Sequence, residues 1–168
     1  MAQQPARPSF NLNLGALTTA DKLILGGAGL FFIWSFFSVW YKVSAGAGCT
    51  GVCSVSFNGW HGVTTFAVIL ALVALVWTGA RLAGVTKNVQ VNFPLAYIDL
   101  GLAGLALFFT LLGLVVHPSF FVVKAGLQWG IFIALILALV WAYGAWMKYQ
   151  EPAAAPPAAG PPAGGFSA

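Results

Sequence analysis

Apolar residues along this chain are grouped into four long runs that short polar segments separate. The two central runs, Val63 to Ala80 and Leu95 to Val116, each approach the roughly 20 residues that a helix needs to cross a bilayer. A third run precedes them and a fourth follows. The pattern predicts an all-α membrane protein, a four-transmembrane-helix bundle with helices at about residues 22–41, 61–80, 94–116 and 125–147.

Helices 2 and 3 each have one face of small and polar residues, which recur at steps of three and four. Apolar side chains gain little free energy by moving from lipid to protein, so membrane helices associate where small side chains let their backbones approach closely. The two faces therefore predict that helices 2 and 3 pack against each other. The residues are Thr64, Ala67, Ala71, Ala74, Thr78 and Arg81 in helix 2, and Ala96, Asp99, Ala103, Ala106, Thr110 and Gly113 in helix 3.

Helix 4 has a ridge of small residues that repeats every four positions. Such a ridge supports close crossing of helices, so it predicts a packing face, either within the bundle or toward a partner protein. Its members are Gly126, Gly130, Ala134, Ala138 and Ala142.

Helix 1 is predicted to begin at a polar capping sequence. Thr18, followed three residues later by Asp21, has the spacing of a capping box just before an apolar run. An alternative for this run is a cleaved signal peptide, because Ala45-Gly46-Ala47 has the small-x-small form of a cleavage site. The run is longer than the apolar part of a typical signal peptide and rich in aromatic residues, which favours a retained span.

The two ends of the chain differ in composition from its middle. Residues 1–17 are mixed and polar, and we expect a mobile N-terminal arm there. Residues 152–168 consist almost entirely of Pro, Ala and Gly, which predicts a disordered cytoplasmic tail over residues 148–168. The transmembrane domain is thus expected to comprise residues 18–147.

The overall composition supports a membrane protein, since 60% of the residues are hydrophobic and 6% are charged. Soluble domains have roughly 25% charged residues, so this chain cannot cover a water-facing surface. Its seven basic residues are dispersed, and no cluster of them marks a nucleic-acid site. The expected partners are the lipid bilayer and other membrane proteins, or further copies of this chain.

The basic residues also predict the orientation, because cytoplasmic loops have the excess of Lys and Arg. Five of them fall on one side of the predicted helices and two on the other. This asymmetry predicts a multi-pass protein of the cell membrane with both termini in the cytoplasm. The five are Arg7, Lys22, Arg81, Lys87 and Lys148, and the two are Lys42 and Lys124.

Asp99 is the only acidic residue within an apolar run, and an ionisable residue inside a membrane is a candidate for function. It lies about 7 Å from the predicted start of helix 3, at a shallow depth. Antiparallel packing of helices 2 and 3 places Arg81 at the same depth, so we expect a structural ion pair between them. Lys22 and Lys87 are competing partners, and a proton or cation site at Asp99 is the alternative.

The two cysteines lie in the Gly- and Ser-rich segment between helices 1 and 2. Cys49 and Cys53 are separated by three residues on the predicted outer side, where a disulfide is stable. A structural disulfide is therefore the first hypothesis. Two alternatives stay open: free thiols, or a zinc or copper site that His61 and His117 complete.

The chain resembles small four-span membrane proteins of actinobacteria that have no assigned activity. The resemblance rests on Trp40-Tyr41 at the end of the first run, a Gly-rich outer loop, Phe57-Asn58-Gly59-Trp60 before the second run, and the Pro/Ala/Gly tail. It implies an accessory role in the cell envelope. Small four-helix multidrug exporters depend instead on a glutamate within their first helix, and this chain has none there. Claudin-like proteins have a Trp-Gly-Leu-Trp segment before their cysteine pair, which is also missing.

Two functional hypotheses follow. The first is a non-enzymatic accessory or scaffold subunit of a larger membrane assembly, which acts through small-residue helix faces and its cytoplasmic tail. The alternative is a small oligomeric transporter or channel that uses Asp99 as its coupling residue. No nucleophile, base and stabilising group converge in the sequence, so we expect no enzyme activity and no cofactor.

Overall fold

The protein folds around four helices in this computed structural model, which describes residues 17–44, 54–84, 95–116, 119–120, 123–124 and 126–151. The helices are α1 (Thr19–Trp34), α2 (Thr64–Leu82), α3 (Ala96–Val115) and α4 (Trp129–Gln150). They are arranged as a ring: α1 packs against α2 and α4, and α3 packs against the same two helices. The described residues thus form a four-helix bundle.

Three of these helices, α2, α3 and α4, are long and apolar enough to cross a membrane. Large apolar side chains on their outer faces are exposed, as lipid contact requires, and Val76, Phe108 and Ile136 are each more than half exposed. Helix α1 has 16 residues, fewer than a typical span. The architecture is that of a membrane protein.

Helix α1 starts where the sequence predicts, because Thr18 is its N-cap and accepts a hydrogen bond from the backbone N–H of Asp21 at 3.2 Å. Its predicted end at Tyr41 is wrong. The helix ends at Trp34, and the carbonyl of Ser35 accepts a hydrogen bond from Gly59 N–H at 2.9 Å, outside the helix.

A small antiparallel sheet covers the end of the bundle at which α1 ends, and we call this the sheet end. Strand β1 (Tyr41–Ser44) lies between β2 (Ser54–Phe57) and β5 (Gly126–Leu127). Along the chain, two further short strands follow α3 and precede β5. They are β3 (Ser119–Phe120) and β4 (Val123–Lys124), which pair with each other. The sequence predicts a loop at β1 and β2 and the start of helix 4 at β5, and both predictions are wrong.

The interior of the bundle is lined by the small residues that the sequence placed on two helix faces. In α2 the predicted face is buried from Thr64 to Thr78, and in α3 from Asp99 to Gly113. These two helices pack against each other, as predicted. Alanines of α2, α3 and α4 fill the middle of the bundle: Ala71, Ala74, Ala103, Ala106, Ala134 and Ala138.

The ridge predicted on helix 4 faces the interior of the bundle. Gly130, Ala134 and Ala138 are buried, and Ala142 is half-buried. The prediction is wrong for Gly126, which lies in β5, is exposed, and pairs with Lys42. The hydrogen bonds that Gln128 and Gly130 donate to Trp40 and Val39 keep this segment extended beside β1, so the helix cannot begin earlier.

Candidate functional site

The end of the bundle opposite the sheet brings together five charged residues, which we call the charged cluster. Each helix contributes one of them, and the fifth follows α4 directly. The cluster contains all three acidic residues of the chain. Its members are Asp21 in α1, Arg81 in α2, Asp99 in α3, Lys148 in α4 and Glu151.

Arg81 is the centre of the cluster because its guanidinium contacts two carboxylates. Its Nη2 donates to Oδ1 of Asp21 at 2.7 Å, and its Nη1 donates to Oδ2 of Asp99. The structure thus brings Arg81 and Asp99 together, the two residues that the sequence proposed as a pair. The planar fork of the guanidinium allows both contacts at once, which an ammonium group does less well.

Asp21 links helices α1, α2 and α4. Its carboxylate accepts hydrogen bonds from the Thr18 hydroxyl at 2.9 Å and from Lys148 Nζ at 3.3 Å, in addition to the one from Arg81. Lys148 also pairs with Glu151 at 2.7 Å. The four helices are therefore joined at this end by a single connected set of ion pairs.

Most of the cluster is buried, which increases the contribution of each ion partner to the stability of the fold. Asp99 is 1% exposed, and the side chains of Arg81 and Lys148 are 15% and 20% exposed. The carboxylates of Asp21 and Asp99 pair with Arg81 and Lys148, and Lys148 also pairs with the more exposed Glu151. A buried charge without a partner is costly, so removing any one of the first four leaves an uncompensated charge in a region of low dielectric constant.

The sheet end is held by hydrogen bonds between side chains and backbone. The hydroxyl of Tyr41 donates to Gly113 O at 3.3 Å, and Trp34 Nε1 donates to Gly130 O at 2.8 Å. Burial raises the pKa of the Tyr41 hydroxyl above its ordinary value, so the group stays protonated and remains a donor. These contacts tie β1 to α3, and α1 to α4.

The predicted metal and disulfide residues fall mostly outside the described residues, as Cys49, Cys53 and His117 do. His61 is described: its Nδ1 lies 2.8 Å from Oδ1 of Asn58, and its ring contacts Phe57. Among the residues that the structure describes, no group of three potential metal ligands occurs. The disulfide and the metal site stay predictions.

Three members of the cluster, Asp21, Lys148 and Glu151, were not predicted to join it, and Glu151 was placed in the disordered tail. The sequence indicates a helix cap at Asp21 and a marker of orientation at Lys148. The signal that identifies Asp21 and Lys148 is their position: each predicted helix has at least one ionisable residue at or near its cytoplasmic end. In an antiparallel bundle such residues lie at one depth, where opposite charges pair.

No protein-family model, curated protein or solved structure matches this chain. The resemblance to small four-span membrane proteins of actinobacteria stays a prediction. Function is therefore inferred from the bundle and its charged cluster.

Proposed function

We propose that this protein is a non-enzymatic multi-pass membrane protein that serves as an accessory or scaffold subunit of a larger membrane assembly. The charged cluster is the observation that supports this role, because it engages Asp21, Asp99 and Glu151 in ion pairs within the bundle. Polar groups used in this way hold the helices together. The outer apolar surface is then the part that meets lipid and partner proteins.

The small-residue face that meets a partner is on α3. The ridge of α4 is buried inside the bundle and serves its own packing. By contrast, Gly101 and Gly104 are exposed on α3, and a Cβ at either position would meet no atom within 4 Å. The backbone of a second helix can approach closely at such a notch. The second proposed contact is the Pro/Ala/Gly tail, of which residues 152–168 lie outside the described residues; its predicted start at residue 148 is wrong, because α4 continues to Gln150.

Copurification after mild detergent extraction tests this proposal. Wild-type protein is expected to recover distinct membrane proteins at stoichiometric level, and the double variant Gly101→Leu/Gly104→Leu is expected to lose them while its melting temperature is unchanged. Gly26→Leu is the matched control, because Gly26 is an exposed glycine of α1 with no atom within 4 Å of its Cβ position. Recovery of the chain as a homo-oligomer alone contradicts the accessory role.

We further propose that α1 is a fourth span and that both termini are cytoplasmic. Helix α1 packs along α4, a helix long enough to cross the membrane, and the turn after Trp34 adds length at the sheet end. An alkaline-phosphatase reporter fused after Ala168 is expected to be inactive, whereas a fusion after Ser44 is expected to be active. An active reporter at the C terminus contradicts both the orientation and the number of spans.

The alternative function, a small oligomeric transporter or channel with Asp99 as its coupling residue, has one observation in its favour. Oδ1 of Asp99 is buried and has no hydrogen-bond partner in the described part of the chain. A coupling carboxylate needs such an available oxygen. Its other oxygen is held by Arg81, however, and α2, α3 and α4 fill the bundle above it with alanine side chains.

A further inference from the structure

Asp99, a member of the charged cluster, and Thr78, on the helix that contributes Arg81, each have a buried atom without a hydrogen-bond partner among the described residues: Oδ1 of Asp99 and Oγ1 of Thr78. Asp99 is 1% exposed and Thr78 is fully buried. Thr78 precedes Arg81 by three residues on the buried face of α2, and Arg81 holds the other oxygen of Asp99. At the sheet end Thr64 lies against Gly113, and the same 14-residue step along each antiparallel helix places Thr78 opposite Asp99.

Thr78 differs in this respect from the other buried threonines of the bundle. The hydroxyl of Thr110 donates to the carbonyl of Ala106 in its own helix at 2.8 Å, and the hydroxyl of Thr64 donates to Gly59 O at 3.0 Å. A threonine inside a helix commonly donates to the carbonyl four residues earlier. The Thr78 hydroxyl does not, and it remains available to a further group.

We propose that Oδ1 of Asp99 and Oγ1 of Thr78 together bind one ordered water molecule. The carboxylate oxygen needs a donor, the hydroxyl needs an acceptor, and a water molecule supplies both. A metal cation fits less well, because Arg81 already pairs with the same carboxylate and the site offers only two unpartnered oxygens, fewer than a bound cation requires. The water extends the charged cluster one helical turn into the bundle.

Matched threonine variants test the site by thermal unfolding in detergent. Thr78→Val, which removes the hydroxyl and keeps the shape, is expected to lower the melting temperature by about 2–4 °C, the shift that accompanies the loss of one ordinary hydrogen bond in a chain of this length. Thr78→Ser is expected to restore most of it. If Thr78→Val melts at or above the wild-type temperature, the hydroxyl binds nothing and the proposal is wrong.

Two further measurements distinguish the water from other occupants. An experimental density map that shows ordered waters is expected to have a peak within hydrogen-bond distance of both atoms, and an empty position overturns the proposal even where Thr78→Val fails to fold. The melting temperature is expected to be equal in sodium and choline chloride at the same ionic strength. Stabilisation by sodium that Thr78→Val abolishes would assign the site to a cation instead.

Discussion

Replacing Arg81 by methionine is expected to lower the free energy of unfolding by about 3–5 kcal/mol, because it leaves two buried carboxylates without their shared cation. Methionine is similar in length and apolar, so the loss arises mainly from the charge. Asp21 retains Lys148 as a partner, whereas the only ion pair of Asp99 within the described chain is with Arg81. Chemical or thermal unfolding in a mild detergent measures the effect.

Lys22→Met is the matched control for the Arg81 variant. Lys22 is exposed on α1 at the same end of the bundle, outside the ion pairs that the structure describes there, so its loss should change stability by less than about 0.5 kcal/mol. Adding Asp21→Asn and Asp99→Asn to Arg81→Met should recover a good part of the loss, because no charge is then left unpaired. Equal stability of Arg81→Met and Lys22→Met would contradict the structural role of the cluster.

The contact of Arg81 with Asp21 limits how much stability an exchange of the Arg81 and Asp99 charges can restore. Exchanging the partners, as Arg81→Glu with Asp99→Arg, would restore an ion pair between α2 and α3. It would also place the new glutamate beside Asp21, which now pairs with Arg81 at 2.7 Å. The double exchange is therefore expected to recover part of the stability and not all of it.

Replacing Gly130 by leucine is expected to destabilise the bundle by at least about 3 kcal/mol, the upper range for overpacking a closely packed site. A Cβ at this position would lie 2.7 Å from the carbonyl carbon of Val39, and that backbone cannot move away without losing the hydrogen bond from Gly130 N–H to Val39 O. The same shift would disturb the hydrogen bond that Trp34 donates to Gly130 O. Thermal unfolding in detergent checks the result.

Gly26→Leu serves as the control here as well, because its Cβ position is open and the same increase in size should leave the melting temperature nearly unchanged. Gly130→Ala should already produce a measurable part of the loss, since the conflict begins at the Cβ atom. A leucine at position 130 that leaves stability intact would show that α4 and the segment before β1 are not packed as described.

The sequence predicted the packing of α2 and α3 well, and the reason is physical. Inside a membrane bundle the buried faces are the ones with small residues, so their spacing identifies them without knowledge of the partner helix. Thr64 and Gly113 illustrate this at the sheet end, where a Cβ on Gly113 would collide with the Thr64 methyl group. At the opposite end of the same two helices, the predicted faces bring Arg81 and Asp99 together as an ion pair.

The sequence did not predict the end of α1 or the sheet. The apolar run continues past Trp34 without a Gly or Pro, so composition alone indicates a longer helix. What ends the helix is contact with distant segments: Ser35 O accepts from Gly59, and Val39 O accepts from Gly130. Such long-range hydrogen bonds leave only a weak trace in the sequence, here the apolar and polar alternation at residues 41–44 and 54–57.

The candidate site was half predictable for a similar reason. The depth of a residue in the membrane follows from its position along a predicted helix, and equal depth is what paired Arg81 with Asp99 in the prediction. Residue positions do not show which helices are neighbours in the ring. The packing of α1 against both α2 and α4 is what adds Asp21 and Lys148 to the cluster.

Proton flux through reconstituted protein tests most directly the central claim that Asp99 is a structural member of a closed bundle. Liposomes with purified wild-type protein and an imposed pH gradient are expected to lose the gradient no faster than protein-free liposomes. Asp99→Asn is expected to leave that rate unchanged and to lower the melting temperature. A wild-type flux that Asp99→Asn abolishes, with stability intact, would contradict the account and assign Asp99 to transport.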